Sequence, residues 1–131
     1  MFEPYLLRWG LVLDGDAIIT LAAQLLPVLR SGEPAMLKLS SDEDERLGGL
    51  LMEWGEGEGA ARVLARDDTT LLLDRATGSA FLADMACAGR DDACRILCAT
   101  AARLHAPRTK PPPGLIPLTQ WFQDLEPAAA K

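Results

Sequence analysis

A single helical segment, residues 41–54, interrupts a run of strand signals in the first 76 residues of the chain, and every regular segment after them is helical. Alternating βαβ units would need a helix after each strand. One inserted helix followed by helices alone points instead to an α+β layer. No internal repeat competes with this reading.

Residues 5–13 are rich in aromatic and branched apolar side chains and stop at Asp14-Gly15-Asp16, which predicts a strand followed by a turn. Residues 17–29 carry mixed preferences. Ala, Leu and Gln favour helix, Ile18, Ile19, Thr20 and Val28 favour strand, and Pro27 opposes an uninterrupted helix, so propensity alone leans to helix. Arg30-Ser31-Gly32-Glu33-Pro34 is a turn around which two strands form a hairpin, the second covering residues 35–40. Ser41 is placed to cap a helix whose first turn carries Asp42, Glu43, Asp44 and Glu45 on the positive end of its dipole. Leu47, Leu50, Leu51 and Trp54 recur there at helical spacing, and Gly55-Glu56-Gly57-Glu58-Gly59 ends the segment.

Residues 61–66 and 70–75 flank Asp67-Asp68-Thr69 as a hairpin whose second strand is almost continuously apolar. Residues 81–88 form a short helix, and Asp91-Asp92 opens a longer one that reaches His105 and is stopped by Pro107. Pro111-Pro112-Pro113-Gly114 is a stiff connector, and residues 118–125 are a last amphipathic piece before an Ala-rich tail.

A length of 131 residues is room for one domain with a modest core. Thirteen Lys plus Arg against nineteen Asp plus Glu leave a net charge of −6, which argues against a nucleic-acid partner. No run of the roughly 20 apolar residues needed to span a membrane occurs, and Met1-Phe2-Glu3-Pro4 does not open a signal peptide, so a cytoplasmic protein without a membrane partner is expected. The three cysteines, Cys87, Cys94 and Cys98, suit no disulfide framework and are expected to be free thiols.

Lys38 stands inside the apolar strand Ala35-Met36-Leu37-Lys38-Leu39, where an ammonium needs either an outward face or an anionic partner such as a nucleotide phosphate. Glu45, seven residues on, could reach back to it if the helix packs across the sheet; the competing reading makes Asp42 to Glu45 a solvated helix start. Gly55 to Gly59 is no phosphate loop, because it follows a helix and carries Glu56 and Glu58. Cys94, Cys98 and His105 share one helix face, a pattern compatible with part of a zinc site, but Leu97, Ala101 and Leu104 lie on it too, and a buried helix face is the favoured reading. With His105 as the only histidine, no nucleophile and base pair can be assembled.

Taken together, Pro34-Ala35-Met36-Leu37-Lys38, Gly59-Ala60-Ala61-Arg62-Val63-Leu64, Leu71-Leu72-Leu73-Asp74-Arg75-Ala76-Thr77-Gly78, Ala93-Cys94-Arg95-Ile96-Leu97-Cys98 and Ala101-Ala102-Arg103-Leu104-His105-Ala106-Pro107 resemble the streptomycin 6-phosphotransferases. These are aminoglycoside/hydroxyurea resistance kinases with a protein-kinase-like fold. The resemblance runs from Trp9 to Leu125 and covers the N-terminal portion of such an enzyme.

It implies a kinase-like N-terminal lobe, a five-stranded antiparallel sheet with one packed helix in residues 1–76, followed in 77–131 by the hinge, linker helices and a truncated start of the C-terminal lobe. It implies ATP as cofactor, Lys38 on the α and β phosphates, Glu45 as its helix partner, Leu73 behind the adenine, and Asp74, Arg75 and Ala76 as the hinge whose backbone reads the adenine edge. The 17–29 region becomes turn plus strand, with residues 20–24 as the loop over the phosphates.

Ala22-Ala23 stands where relatives carry serines. The family's His-Gly-Asp motif, its following Asn and the later Asp that binds Mg²⁺ have no counterpart, so no catalytic or metal residue is assigned and the chain alone is expected to be inactive. An uncovered lobe face would favour self-association. The alternative is a non-catalytic binding or regulatory module that keeps the N-lobe shape.

Overall fold

Ser31 and Gly32 both adopt positive φ, 50° and 81°, the left-handed pair that a two-residue hairpin turn requires. In the computed structural model, which describes residues 1–79 and 81–131, this turn joins β3 (Gln24–Arg30) to β4 (Glu33–Leu39) in register from Arg30↔Glu33 to Gln24↔Leu39. β6 (Thr70–Asp74) pairs with the other edge of β4 and with β5 (Val63–Arg66), and β1 (Leu11–Leu13) and β2 (Ile18–Ile19) both pair with β3. The sheet is therefore antiparallel, in the order β1-β3-β4-β6-β5 with β2 beside β3. The fold class is α+β, as a kinase-like N-terminal lobe requires. The sheet has six strands and not the expected five, because Ile18–Ile19, within the 17–29 region, form a short strand of their own beside β3.

Residues 5–13 are not one strand. Helix α1 (Glu3–Arg8) precedes β1, with Pro4 in its first turn, where the missing N–H costs nothing, and Gly10 at φ 60° just beyond it. The overlooked signal was Phe2, Tyr5, Leu6 and Trp9 at helical spacing; these side chains pack on the sheet, and the Tyr5 and Trp9 rings lie 5.4 Å apart. Residues 17–29 fold as β2, a tight turn and β3, against the helical lean of propensity alone and in line with the turn and strand that the family resemblance implies. Pro27 sits within β3 because its carbonyl accepts from Asp14 (3.0 Å) and its absent N–H faces the break between β1 and β2.

Leu11, Leu26, Val28, Ala35, Leu37 and Leu72 form the buried core on the face that α1 covers. The other face carries Leu25, Pro27, Met36, Lys38, Leu71 and Leu73, aligned by cross-strand register. Helix α2 (Glu43–Gly55) crosses that face, and Gly49 allows its close approach, because a Cβ there would lie 3.1 Å from Leu71. With both faces covered, β6 is buried from Thr70 to Leu73, which accounts for its unbroken apolar run.

Helices α3 (Leu82–Cys87), α4 (Asp92–His105), α5 (Leu118–Trp121) and α6 (Leu125–Ala129) follow. Trp54 anchors the chain beyond α4: the Arg108 guanidinium lies 4.7 Å over its ring, and its indole N–H donates to the Lys110 carbonyl (3.1 Å). Gly59 takes φ 86° against α4, where a Cβ would lie 2.8 Å from Leu104 Cγ and 3.0 Å from the Thr100 carbonyl. Gly59→Ala is therefore expected to cost about 2 kcal/mol, from strain and overpacking together, and to lower the chemical-denaturation midpoint accordingly.

The buried face expected for α4 is not found. Ala93 is its only buried residue among those described, while Cys94, Leu97, Cys98, Leu104 and His105 are exposed, because α4 is covered only where α3 and Gly59 meet it.

Candidate functional site

α2 starts at Asp42, not at the expected Ser41: the Asp42 carboxylate accepts from the Asp44 N–H (2.8 Å) in extended backbone. Its first turn then projects Glu45 toward β4, where it forms an ion pair with Lys38. The two side chains are 23% and 31% exposed, so the pair is shielded yet open on one side. Lys38 points to the α2 face because it alternates with the buried Leu37 and the half-buried Leu39, and Leu25 and Leu71 flank it in register.

Ion pair and apolar walls together hold the ammonium in one place. A second carboxylate on α2, Glu43, binds Arg46, whose hydrogen bonds hold it below the usual carboxylate range.

The turn between β2 and β3 is closed by its own side chain. The Thr20 N–H and hydroxyl both donate to the Ala23 carbonyl (2.9 and 2.8 Å), and the Ala23 N–H donates to Thr20 Oγ1 (3.0 Å). Ser40, two residues past Lys38, donates its hydroxyl to the Ala22 carbonyl (2.7 Å) and so ties the loop to β4. The N–H groups of Leu21 and Ala22 have no acceptor among the described residues. Sequence reading named the loop but missed Thr20 and Ser40 as its fasteners; a Ser or Thr opening a four-residue turn was the available signal.

The cavity that Lys38 and Glu45 line with Arg46, Arg66, Asp67 and Thr70 measures about 20 Å³, room for about one water. Asp67 is held below the ordinary carboxylate range by the Asp68 N–H and, secondarily, by Arg8.

Leu73 is buried one strand over from Met36, two positions along β6 from the residue opposite Lys38. Asp74, Arg75 and Ala76 lie at and beyond the end of β6 and border a separate hollow with Gly57, Ala60 and Arg62; the Asp74 N–H donates to the Arg62 carbonyl (2.9 Å). Lys38 with Glu45, and Leu73 with the 74–76 segment, thus occupy two ends of one sheet face, not one enclosed cavity. Among the described residues no three His, Cys, Asp or Glu side chains converge as a metal centre would need.

A profile of the aminoglycoside/hydroxyurea antibiotic resistance kinases matches residues 8–131. The chain belongs to this kinase family. It is 51% identical over 125 residues to a streptomycin 3''-kinase of Klebsiella pneumoniae, covering 95% of this chain and 47% of that one. It is 36% identical over 109 residues to a streptomycin 6-kinase of Streptomyces glaucescens and 34% identical over 116 residues to a hydroxyurea phosphotransferase of Kitasatospora aureofaciens. These matches cover 34% and 33% of the relatives, so the chain spans between a third and a half of the resistance kinases it resembles. No solved structure matches it. The antiparallel sheet and the single inserted helix are those of an N-terminal portion of such a kinase.

Proposed function

We propose that residues 1–76 are the nucleotide-binding lobe, and residues 77–131 the hinge and first C-lobe helices, of an ATP-dependent aminoglycoside phosphotransferase that acts on a streptomycin hydroxyl. The Lys38–Glu45 pair carries this reading: it sits on the same sheet face as Leu73 and beside the Thr20-fastened loop. In this reading Lys38 contacts the α and β phosphates, and Glu45 holds the ammonium so that little order is lost on binding. The free N–H groups of Leu21 and Ala22 supply donors that the methyl side chains of Ala22 and Ala23 cannot. Leu73 backs the adenine, and the backbone of Asp74, Arg75 and Ala76 reads its edge.

ATP supplies the phosphoryl group. The chain's part is to grip and orient it. A net charge of −6 suits a cationic aminoglycoside acceptor. The acceptor hydroxyl's proton needs a base, and these 131 residues hold no His-Gly-Asp motif, so the chain alone is expected to give no streptomycin phosphorylation in a radiolabelled ATP assay. The exposed Leu97, Leu118, Trp121, Phe122 and Leu125 fit a lobe face that self-associates when uncovered. No observation favours the non-catalytic module over a kinase lobe.

Amide shift mapping by NMR tests the assignment. ATP is expected to perturb residues 20–23, Lys38 and residues 74–76 saturably; perturbations confined to α3–α6, or none, would contradict it.

A further inference from the structure

Asp14 and Arg75 form an ion pair although 61 positions separate them and two strands, β4 and β3, lie between theirs in the sheet. Arg75 continues β6 by one residue, in alternation with Leu71 and Leu73; Asp14 continues β1 by one residue, with its N–H on the Pro27 carbonyl. Alternation puts both side chains on the α2 face, the face of Lys38, Met36 and Leu73. A bond between them therefore spans that face at the level of Met36 and Pro27. The Arg75 side chain is 16% exposed and that of Asp14 39%, so the guanidinium lies against the protein and not out in solvent.

A planar base approaching the backbone of residues 74–76 from this face meets the Arg75 guanidinium first. The pair also ties the segment after β6 to the strand pair that carries the 20–23 loop. We propose that Asp14 and Arg75 form a strap across the base slot, closed in the free protein and opened when a purine nucleoside binds. This rests on the nucleotide-lobe reading and adds to it a gate that no nucleotide contact by itself would require. Part of the binding free energy then goes into breaking the pair, which lowers the apparent affinity of the free protein.

Adenosine is the suitable probe, because it is uncharged and its binding carries no direct salt dependence of its own. Calorimetry on the wild type is expected to show adenosine binding tighten as KCl rises from about 0.05 to 0.5 M, since screening weakens the strap. Asp14→Asn is expected to bind about two- to fivefold tighter than wild type at low salt and to lose the salt dependence. Arg75→Gln should do the same if Asp14→Asn folds poorly by circular dichroism. Salt-independent wild-type binding, or variants that bind no tighter, would overturn the strap while leaving the nucleotide reading intact. Absence of both adenosine and ATP binding in every chain would overturn the two together.

Discussion

Leu37→Ala is expected to destabilise the protein by about 4 kcal/mol, a large part of the roughly 5–15 kcal/mol by which a domain of this size is stable. Leu37 is completely buried in β4, the strand with partners on both edges, and its neighbours in register, Leu26 and Leu72, are buried with it. Residues packed on a sheet paired from both sides cannot close the gap by shifting one strand, so the cavity persists and its cost adds to the lost transfer free energy. Leu51→Ala is the control. That side chain is 38% exposed on α2, and its truncation should cost less than about 1 kcal/mol. Guanidinium melts of the three proteins check both values, with an unchanged slope showing that compactness is the same.

Lys38→Ala is expected to weaken ATP binding by about 10- to 100-fold, the range for losing charge-assisted hydrogen bonds to phosphate. The fold should survive. The Lys38–Glu45 pair stays partly open to water, so an unpaired Glu45 can be solvated, and such pairs contribute at most about 1 kcal/mol. Glu45→Gln separates positioning from contact: it leaves the ammonium but removes its anchor, and a smaller loss of ATP affinity is expected than for Lys38→Ala. An equal loss in both variants would mean that the pair acts as one unit. Unimpaired binding in Lys38→Ala would remove the lysine from the phosphate site.

Local signals carried most of the fold. The Ser31-Gly32 turn, the acidic start of α2, the Asp67-Asp68-Thr69 hairpin and the span of α4 were all readable, because each depends on turn chemistry or capping within a few residues. Local preference pointed the wrong way in two places for a common reason. The aromatic residues at 5 and 9 look strand-like alone, and residues 17–29 look helical alone, but packing against β3 and β4 decides both. The opposite error befell α4, whose apolar stripe was read as buried although among the described residues the helix is met only by α3 and by the segment around Gly59. At the site, Lys38 was conspicuous as a charge within an apolar strand, and Glu45 was within reach only through a specific helix placement. The Asp14–Arg75 contact had no local signature at all, since only sheet order brings the two together.

The proposed function makes this sheet face a nucleotide site gripped by Lys38. A calorimetric titration of ATP–Mg²⁺ into the wild type and Lys38→Ala, both verified as folded, tests it most directly. Saturable binding to the wild type that weakens at least tenfold in the variant is the predicted result. No binding to a folded wild type, or equal binding to both, would contradict it.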